Sequence, residues 1–465
     1  MTDLETQAPG WSALLARGTI GRTLVLGGGV AIHAVSIYVV ATILPVVVAE
    51  IGGVAFFAWT ATLYVAGSLC GAAATPLLLS RAGPRGAYLF GFALFMAGSL
   101  ICSLAPDMAV LLLGRAVQGV GGGMLPALAY ATIRSVFAPR LHARAIALLG
   151  TVWGTAALIG PSIGGVFAQY GAWRAAFWVD IPIGLLFAVL ATRVVPRAVE
   201  GLTARPFPGV RLLLLAAAAI AVSIGGVFGR ALPAALGIAA AVLLLALVMR
   251  LDRRAGMRLL PSGAFDPLVP IGAVSATIGL FILSSTPCNY IGFFLQTGLG
   301  RAPVTGGYMV ALIAISWTIA SLLAVSFSKQ GVRLALFLAP CCILAGMLLH
   351  VWSLPIGLLP AIAAGQVLIG IGIGIAWPHL GALVMQVAPA ADRDIAGPFL
   401  SLTQTLAAAF GSAAAGMVAN IAGLPLATTP AAIMATSPWL FGIMAIFALA
   451  AILTSWRILV LTRTS

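Results

Sequence analysis

The chain has 465 residues, of which 62% are hydrophobic and only 7% charged, and its mean hydropathy is +1.14. So few charges cannot cover a water-exposed surface, which excludes a soluble domain. The formal charge of +14 would suit nucleic acid, but the arginines gather at the ends of apolar stretches, where they mark the sides of a membrane. No nucleic-acid partner is expected.

Uncharged stretches run at 23–49, 51–80, 86–106, 116–133, 145–173, 212–229, 231–249, 267–300, 302–328, 334–391 and 395–456. A bilayer-crossing helix needs about 20 residues. Most stretches hold one span, the last two hold two each, and 175–192 adds one despite Asp180, so fourteen spans are predicted. With the N-terminus inside, twenty of the 24 basic residues fall on cytoplasmic flanks; Arg174, Arg230 and Arg301 fall outside, and Arg115 lies within a span. Both termini are then cytoplasmic. The first span is too long for a signal-peptide core and more spans follow, so no cleaved leader is expected. The five cysteines (Cys70, Cys102, Cys288, Cys341 and Cys342) lack metal-ligand spacing and read as small core residues.

In the first span, His33 and Ser36 are three residues apart and share a helix face. Arg81, Gly83 and Arg85 interrupt the apolar run in "LLSRAGPRGAYLF" at 78–90. The fourth span opens on "GRAVQGVGGGMLP" at 114–126, with Gln118 one turn beyond Arg115. An intramembrane arginine without a partner is expensive, so Arg115 is expected to be functional. The fifth contains "GPSIGG" at 160–165. Pro161 removes a backbone donor, and Gly160, Gly164 and Gly165 admit a neighbouring helix. This is either plain packing or a dry, bent contact between two moving parts. The string also fits a hydrolase nucleophile elbow, but that needs a strand-to-helix turn. The glycine clusters likewise lack the strand of a dinucleotide site. No enzyme, cofactor or metal is expected.

The second part of the chain repeats the first. "SFSKQGVRLALF" at 326–337 sets Lys329, Gly331 and Arg333 where Arg81, Gly83 and Arg85 stand in the earlier loop. "GQVLIGIGIGIAWP" at 365–378 repeats Gly114, Gly119, Gly121 and Gly123 as Gly365, Gly370, Gly372 and Gly374, at an offset of 251 residues. Ala388-Pro389 answers Ala138-Pro139, and "GSAAAG" at 411–416 answers "GPSIGG". The expected fold is an all-α polytopic membrane protein of two six-helix halves, 22–194 and 267–461. A linker at 195–266 carries two extra spans, and 1–21 and 462–465 are cytoplasmic ends. Parallel halves with a site between them describe a transporter.

Four stretches carry a family resemblance: "PLLLSRAGPR", "GRAVQGVGGG", "GTVWGTAALIGPSIGG" and "FFLQTGLGRAPVTGG". Over nearly its whole length the chain resembles the fourteen-span drug:proton antiporter branch of the major facilitator superfamily. The resemblance implies alternating access, with Arg81, Gly83 and Arg85, the fifth-span glycines and Pro161, and Lys329, Gly331 and Arg333 in gating. It also implies a loop aspartate that latches the outward-facing state. Here that position is Ser80, and Pro84 replaces a basic residue, so Asp392 and Asp394 become candidate partners for Arg81, Arg85, Lys329 or Arg333.

The first span departs further from the family. An aspartate is expected nine residues before Pro45, and Ser36 stands there. No acid lies in the spans of the second half, and Glu50 and Asp180, both placed toward the outer ends of their spans, are the carboxylates nearest a span interior. Without a fixed carboxylate, a cationic substrate fits poorly. His33, either a coupling group or a hydrogen-bonded structural histidine, and Arg115 are the deep ionisable groups. Asn289, Tyr290, Gln296, Gln366 and Gln404 are candidate cavity residues, although buried amides also bridge helices. Trp59, Tyr64, Trp153, Trp317 and Trp377 either line a pocket or pack and anchor spans. The expected function is a monomeric inner-membrane exporter of a neutral or anionic amphipathic organic molecule, with proton coupling through His33. Alternatives are an importer or facilitator of an organic anion and a lipid transporter.

Overall fold

Lipid offers no hydrogen-bond partners, so apolar stretches of this length must satisfy their backbone internally as helices. The computed structural model describes residues 14–16, 18–138, 141–197, 208–255, 258–389 and 392–462. Four of the predicted inside-flank arginines, Arg17, Arg140, Arg205 and Arg463, lie outside the described residues, as do the side chains of Arg134, Arg393 and Asp394.

The helices are α1 (Ile20–Ile51), α2 (Trp59–Ser103), α3 (Met108–Val136), α4 (His142–Gln169), α5 (Trp173–Trp178), α6 (Asp180–Val194), α7 (Gly209–Val227) and α8 (Ala231–Arg254). They continue as α9 (Pro270–Ser285), α10 (Ile291–Phe293), α11 (Pro303–Ala324), α12 (Lys329–Ser353), α13 (Leu359–Val387), α14 (Arg393–Ile421) and α15 (Pro430–Leu461). Among the described residues, thirteen helical stretches are long and apolar enough to cross a membrane. One of these, Val54–Ser103, is 50 residues long, far more than the roughly 20 one crossing needs. It turns at Gly83, whose φ of 67° and ψ of 174° are not helical and favour a residue without a Cβ. The two limbs of α2 then lie on either side of α3: Tyr64 and Ser68 of the first limb face Gly119 and Gly123, while Phe95 and Cys102 of the second face Gly121 and Gly114.

The four repeated glycines do equivalent work on α13. Gly370 and Gly374 face Ser316 and Trp317 of α11, and Gly365 and Gly372 face His350 and Ala339 of α12. In each case the glycine-bearing helix is wedged between the two helices before it, at backbone separations that any side chain would prevent.

The basic hexapeptides, in contrast, adopt different geometries. Gly83 is the bend inside α2, whereas Gly331 lies in the first turn of α12, where its N–H donates to the Ser328 Oγ cap at 3.2 Å. The expectation of one loop used twice holds for charge and position, not for backbone. Pro84, absent from the second copy, fixes the chain just after the first bend.

The α7–α8 pair packs on itself and in the crease between α2 and α14. At one end, Asp252 is buried and pairs with Arg211 while accepting from the N–H groups of Leu259 (2.8 Å) and Leu260 (3.0 Å). Replacing Asp252 with Asn is expected to lower stability, because the Arg211 guanidinium and the N–H groups of Leu259 and Leu260 lose a charged acceptor inside the fold. A lower Tm of the purified protein checks this. At the other end, Asn420 Nδ2 donates both to Ala55 O (2.8 Å) and to Gly226 O (3.2 Å), joining α14, the turn before α2 and α7.

The N-terminal set, α1–α6, meets the C-terminal set, α9–α15, chiefly through α4 against α11 and α2 against α14. At the end opposite Ile20, Phe57 lies tilted against Tyr290 and edge-on to Phe293, at ring-centroid separations of 4.7 and 5.2 Å.

Candidate functional site

Arg115 lies in the second turn of α3, where Asp107 caps the helix by accepting from Val110 N at 2.9 Å. The surrounding glycines bring both limbs of α2 against this part of α3, so Arg115 is enclosed, at 2% exposure. Its guanidinium sits 3.9 Å over the Tyr64 ring, donates to Thr60 O and Ser36 Oγ at 3.4 Å each, and donates to Gln118 Oε1. No carboxylate forms an ion pair with it among the described residues. Its stabilisation is a cation–π contact plus neutral acceptors.

The arrangement continues in two directions. The hydroxyl of Tyr64 shares a hydrogen bond with His33 Nδ1 at 2.8 Å, and the Trp153 and His33 rings meet near-perpendicular with centroids 5.6 Å apart. On the other side, Gln118 Nε2 donates to Ser99 Oγ at 2.7 Å and to Asp180 Oδ2 at 3.1 Å, and Ser99 Oγ donates to that same oxygen at 3.1 Å. The chain His33, Tyr64, Arg115, Gln118, Asp180 therefore links α1, α2, α3 and α6. Between α5 and α6, Pro182 lacks the N–H that would bond to the Trp178 carbonyl, yet Val179 keeps helical φ and ψ, so the span continues through the gap. Asp180 begins α6 turned toward α2 and α3. Sequence reasoning took it for a group near a span end and missed Ser99, because the contact depends on the fold-back of α2.

The remaining candidates divide by what their polar atoms already hold. Glu50 pairs with Arg174 and accepts from Trp173 Nε1 at 2.6 Å, a brace between α1 and α5. Gln366 is fully buried, donating to Met309 O at 2.9 Å and contacting His350 Nε2 at 3.1 Å, so it ties α13 to α11 and α12. Gln296 Nε2 donates to Thr42 O at 3.1 Å, across the two helix sets. Tyr290 is buried against Phe57. Asn289 is exposed and Gln404 half-buried. Tyr290, Asn289 and Gln296 all belong to 286–298, where a 3₁₀ segment, α10 and a π turn replace regular helix, a distortion common at functional places. Trp317 and Trp377 pack on each other at 4.8 Å and Trp59 on Phe56 at 5.7 Å.

The α4 glycine motif splits its contacts. A Cβ at Gly160 would stand 2.6 Å from Tyr38 Cβ, and one at Gly164 would stand 2.9 Å from Val39 O, both on α1 of the same set. Gly165 instead meets Val304 of α11, and Pro161 lies under Gly307 of α11. The contact between sets thus falls to Pro161 and Gly165, with Ser162 hydrogen-bonded to Tyr308. Of the basic residues, Arg85 Nε donates to Val195 O at 2.9 Å, while Arg81, Lys329 and Arg333 are exposed. The Asp392 carboxylate accepts from Ser262 N at 2.7 Å, so in this conformation it serves the end of the linker and not a basic loop.

The chain matches the Major Facilitator Superfamily over residues 26–412. It is 35% identical over 439 residues to a probable multidrug-efflux transporter of Mycobacterium tuberculosis, covering 91% of this chain and 92% of that protein. It is 24% identical over 400 residues to a multidrug transporter protein of Bacillus subtilis, covering 82% and 72%. Among solved structures, a D-xylose-proton symporter superposes with a TM-score of 0.65 at 16% identity, covering 94% of this chain and 97% of the other. A POT family transporter superposes with a TM-score of 0.66 at 15% identity, covering 94% and 96%. With its apolar helices, paired glycine wedges and buried arginine, this multi-pass membrane protein belongs to the Major Facilitator Superfamily of secondary transporters.

Proposed function

We propose that the chain exports an amphipathic organic small molecule, neutral or anionic, across the inner membrane as a monomer working by alternating access. The observation that carries the substrate class is the buried Arg115, a fixed positive charge with no ion-paired carboxylate among the described residues. At the guanidinium itself a cation is repelled and an electron-rich or anionic group attracted, because the Asp180 carboxylate reaches Arg115 only across Gln118. Export is supported by the drug-efflux naming of the Mycobacterium relative and by an α4 motif seated between α1 and α11.

The architecture that goes with this reading has fourteen crossings, with Val54–Ser103 crossing twice about Gly83 and both termini cytoplasmic. Residues 22–194 and 267–461 form the halves, and 195–266 carries the extra pair. The packing of both α2 limbs on α3 supports it. Reporter fusions after residues 53 and 229 should lie outside and those after 83 and 255 inside; a cytoplasmic signal at 229 would remove the extra pair.

The functional test incubates inside-out vesicles in turn with fluorescein, radiolabelled chloramphenicol and ethidium as anionic, neutral and cationic probes in the medium. Energised vesicles should accumulate the first or second over vesicles lacking the protein, and not the third. Accumulation of ethidium alone would overturn the substrate class. Uptake only in right-side-out vesicles would make the protein an importer.

A further inference from the structure

We propose that Asp180 is the group that takes up and releases the transported proton, its charge balanced against Arg115 through Gln118. This rests on the exporter reading, adds the proton as its coupling ion, and places the coupling group on α6 and not at His33 of the first span.

The described carboxylates narrow the choice. Glu50 is held by Arg174 and Trp173, and Asp252 by Arg211 and two N–H groups. Asp107 caps α3, Asp266 accepts from Leu268 N, and Asp392 accepts from Ser262 N. Asp180 alone among them joins the buried arginine network. Both of its donors, Ser99 and Gln118, go to Oδ2, and among the described residues none reaches Oδ1. A proton can therefore bind Oδ1 without breaking either bond. The charged or titratable groups facing Asp180 are Arg115 of α3 and Tyr64 and Cys102 of the two α2 limbs. From α1, His33 is reached only through Tyr64, and Arg174 of α5 is committed to Glu50.

Gln118 couples the two charges, since its Oε1 accepts from Arg115 while its Nε2 donates to Asp180. With Asp180 ionised, the guanidinium and carboxylate balance across one amide, and the network tolerates closure in a low dielectric. With Asp180 protonated, a net positive charge remains at Arg115, and burying it unbalanced is costly. The protonated form then favours the conformation in which α1, α2, α3 and α6 admit water. A neutral solute that binds the balanced network would be exchanged for the proton. His33 has a different place in this scheme: as the partner of Tyr64 it positions the ring under Arg115.

Two readouts test this. In infrared difference spectra of the purified, substrate-free protein stepped in pH, wild type should show the carbonyl band of a protonated carboxylic acid appear and disappear. Asp180→Asn should lack that band and His33→Gln keep it; a titrating band that survives in Asp180→Asn overturns the proposal, as does its absence from wild type. In proteoliposomes, Asp180→Asn should lose pH-gradient-driven chloramphenicol accumulation while exchange between equal pools continues at a reduced rate. Asp180→Glu should restore gradient-driven transport with a displaced pH profile. Full gradient response in Asp180→Asn, or loss of the response in His33→Gln with retention in Asp180→Asn, overturns it. If wild type moves no probe, the exporter reading fails and the infrared band alone decides Asp180.

Discussion

Replacing Arg115 with Gln or Ala is expected to reduce transport by about a hundredfold or more, with expression and folding largely intact. The side chain holds four groups at once, namely Thr60 O, Ser36 Oγ, Gln118 Oε1 and the Tyr64 ring. Hydrogen bonds to a charged group contribute about 1.5–3 kcal/mol each when buried, and about 2.7 kcal/mol is a hundredfold in rate. Stability falls less than function because burying the guanidinium is itself costly, so removing it relieves desolvation while breaking contacts. Lys at this position keeps the charge but not the planar fork, and should recover little. The measurement is initial transport rate per folded protein in proteoliposomes. Near wild-type rates in the Ala variant would mean that the positive charge is not used.

Gly165→Leu is expected to block the cycle by a different route. A Cβ at Gly165 would stand 2.9 Å from Val304 Cα, backbone that cannot step aside like a side-chain tip. Overpacking of this kind costs about 1–3 kcal/mol, and because α4 and α11 belong to different helix sets, the cost falls on one conformation. The variant should be biased toward opening at the end where Phe57 meets Tyr290. A cysteine introduced by Ala55→Cys should then react faster with a membrane-impermeant maleimide than in the wild-type background, alongside lost transport. Gly164→Leu acts within one set, on α1, and should lower transport through misfolding, visible as a lower Tm without the change in labelling. Equal labelling rates in the two backgrounds would remove the gating role of Gly165.

How much was legible beforehand depended on whether a signal was local. The glycines at 114, 119, 121 and 123 were readable as a repeat copied 251 residues on; their close packing against the two preceding helices came from the structure, where a missing side chain admits a neighbouring backbone. Arg115 and Gln118 could be paired on one face from helical spacing alone, and they are hydrogen-bonded. The partners of Asp180 were not readable: Ser99 and Gln118 are 81 and 62 residues away, and nothing short-range marks the meeting. The amides show the same limit. Gln296 and Gln366 look alike in sequence, yet one crosses between helix sets to Thr42 and the other is spent on Met309 and His350. Gly83 and Gly331 sit in hexapeptides that share Ser, Gly and Arg at the same places, but only the first takes a positive φ.

By itself the sequence determined that this chain lives in a membrane as an all-helical bundle, because 62% hydrophobic residues and 7% charged ones leave no other solvent for it. It also marked, through the repeated glycines, two equivalent stretches 251 residues apart. Only the tertiary structure decided what balances the charge of Arg115, which glycine of α4 faces the other helix set, and which acids are already occupied. Those are questions of which distant side chains share a low-dielectric space, where an unmet charge or donor costs kilocalories; hydropathy and periodicity carry no information about such pairings.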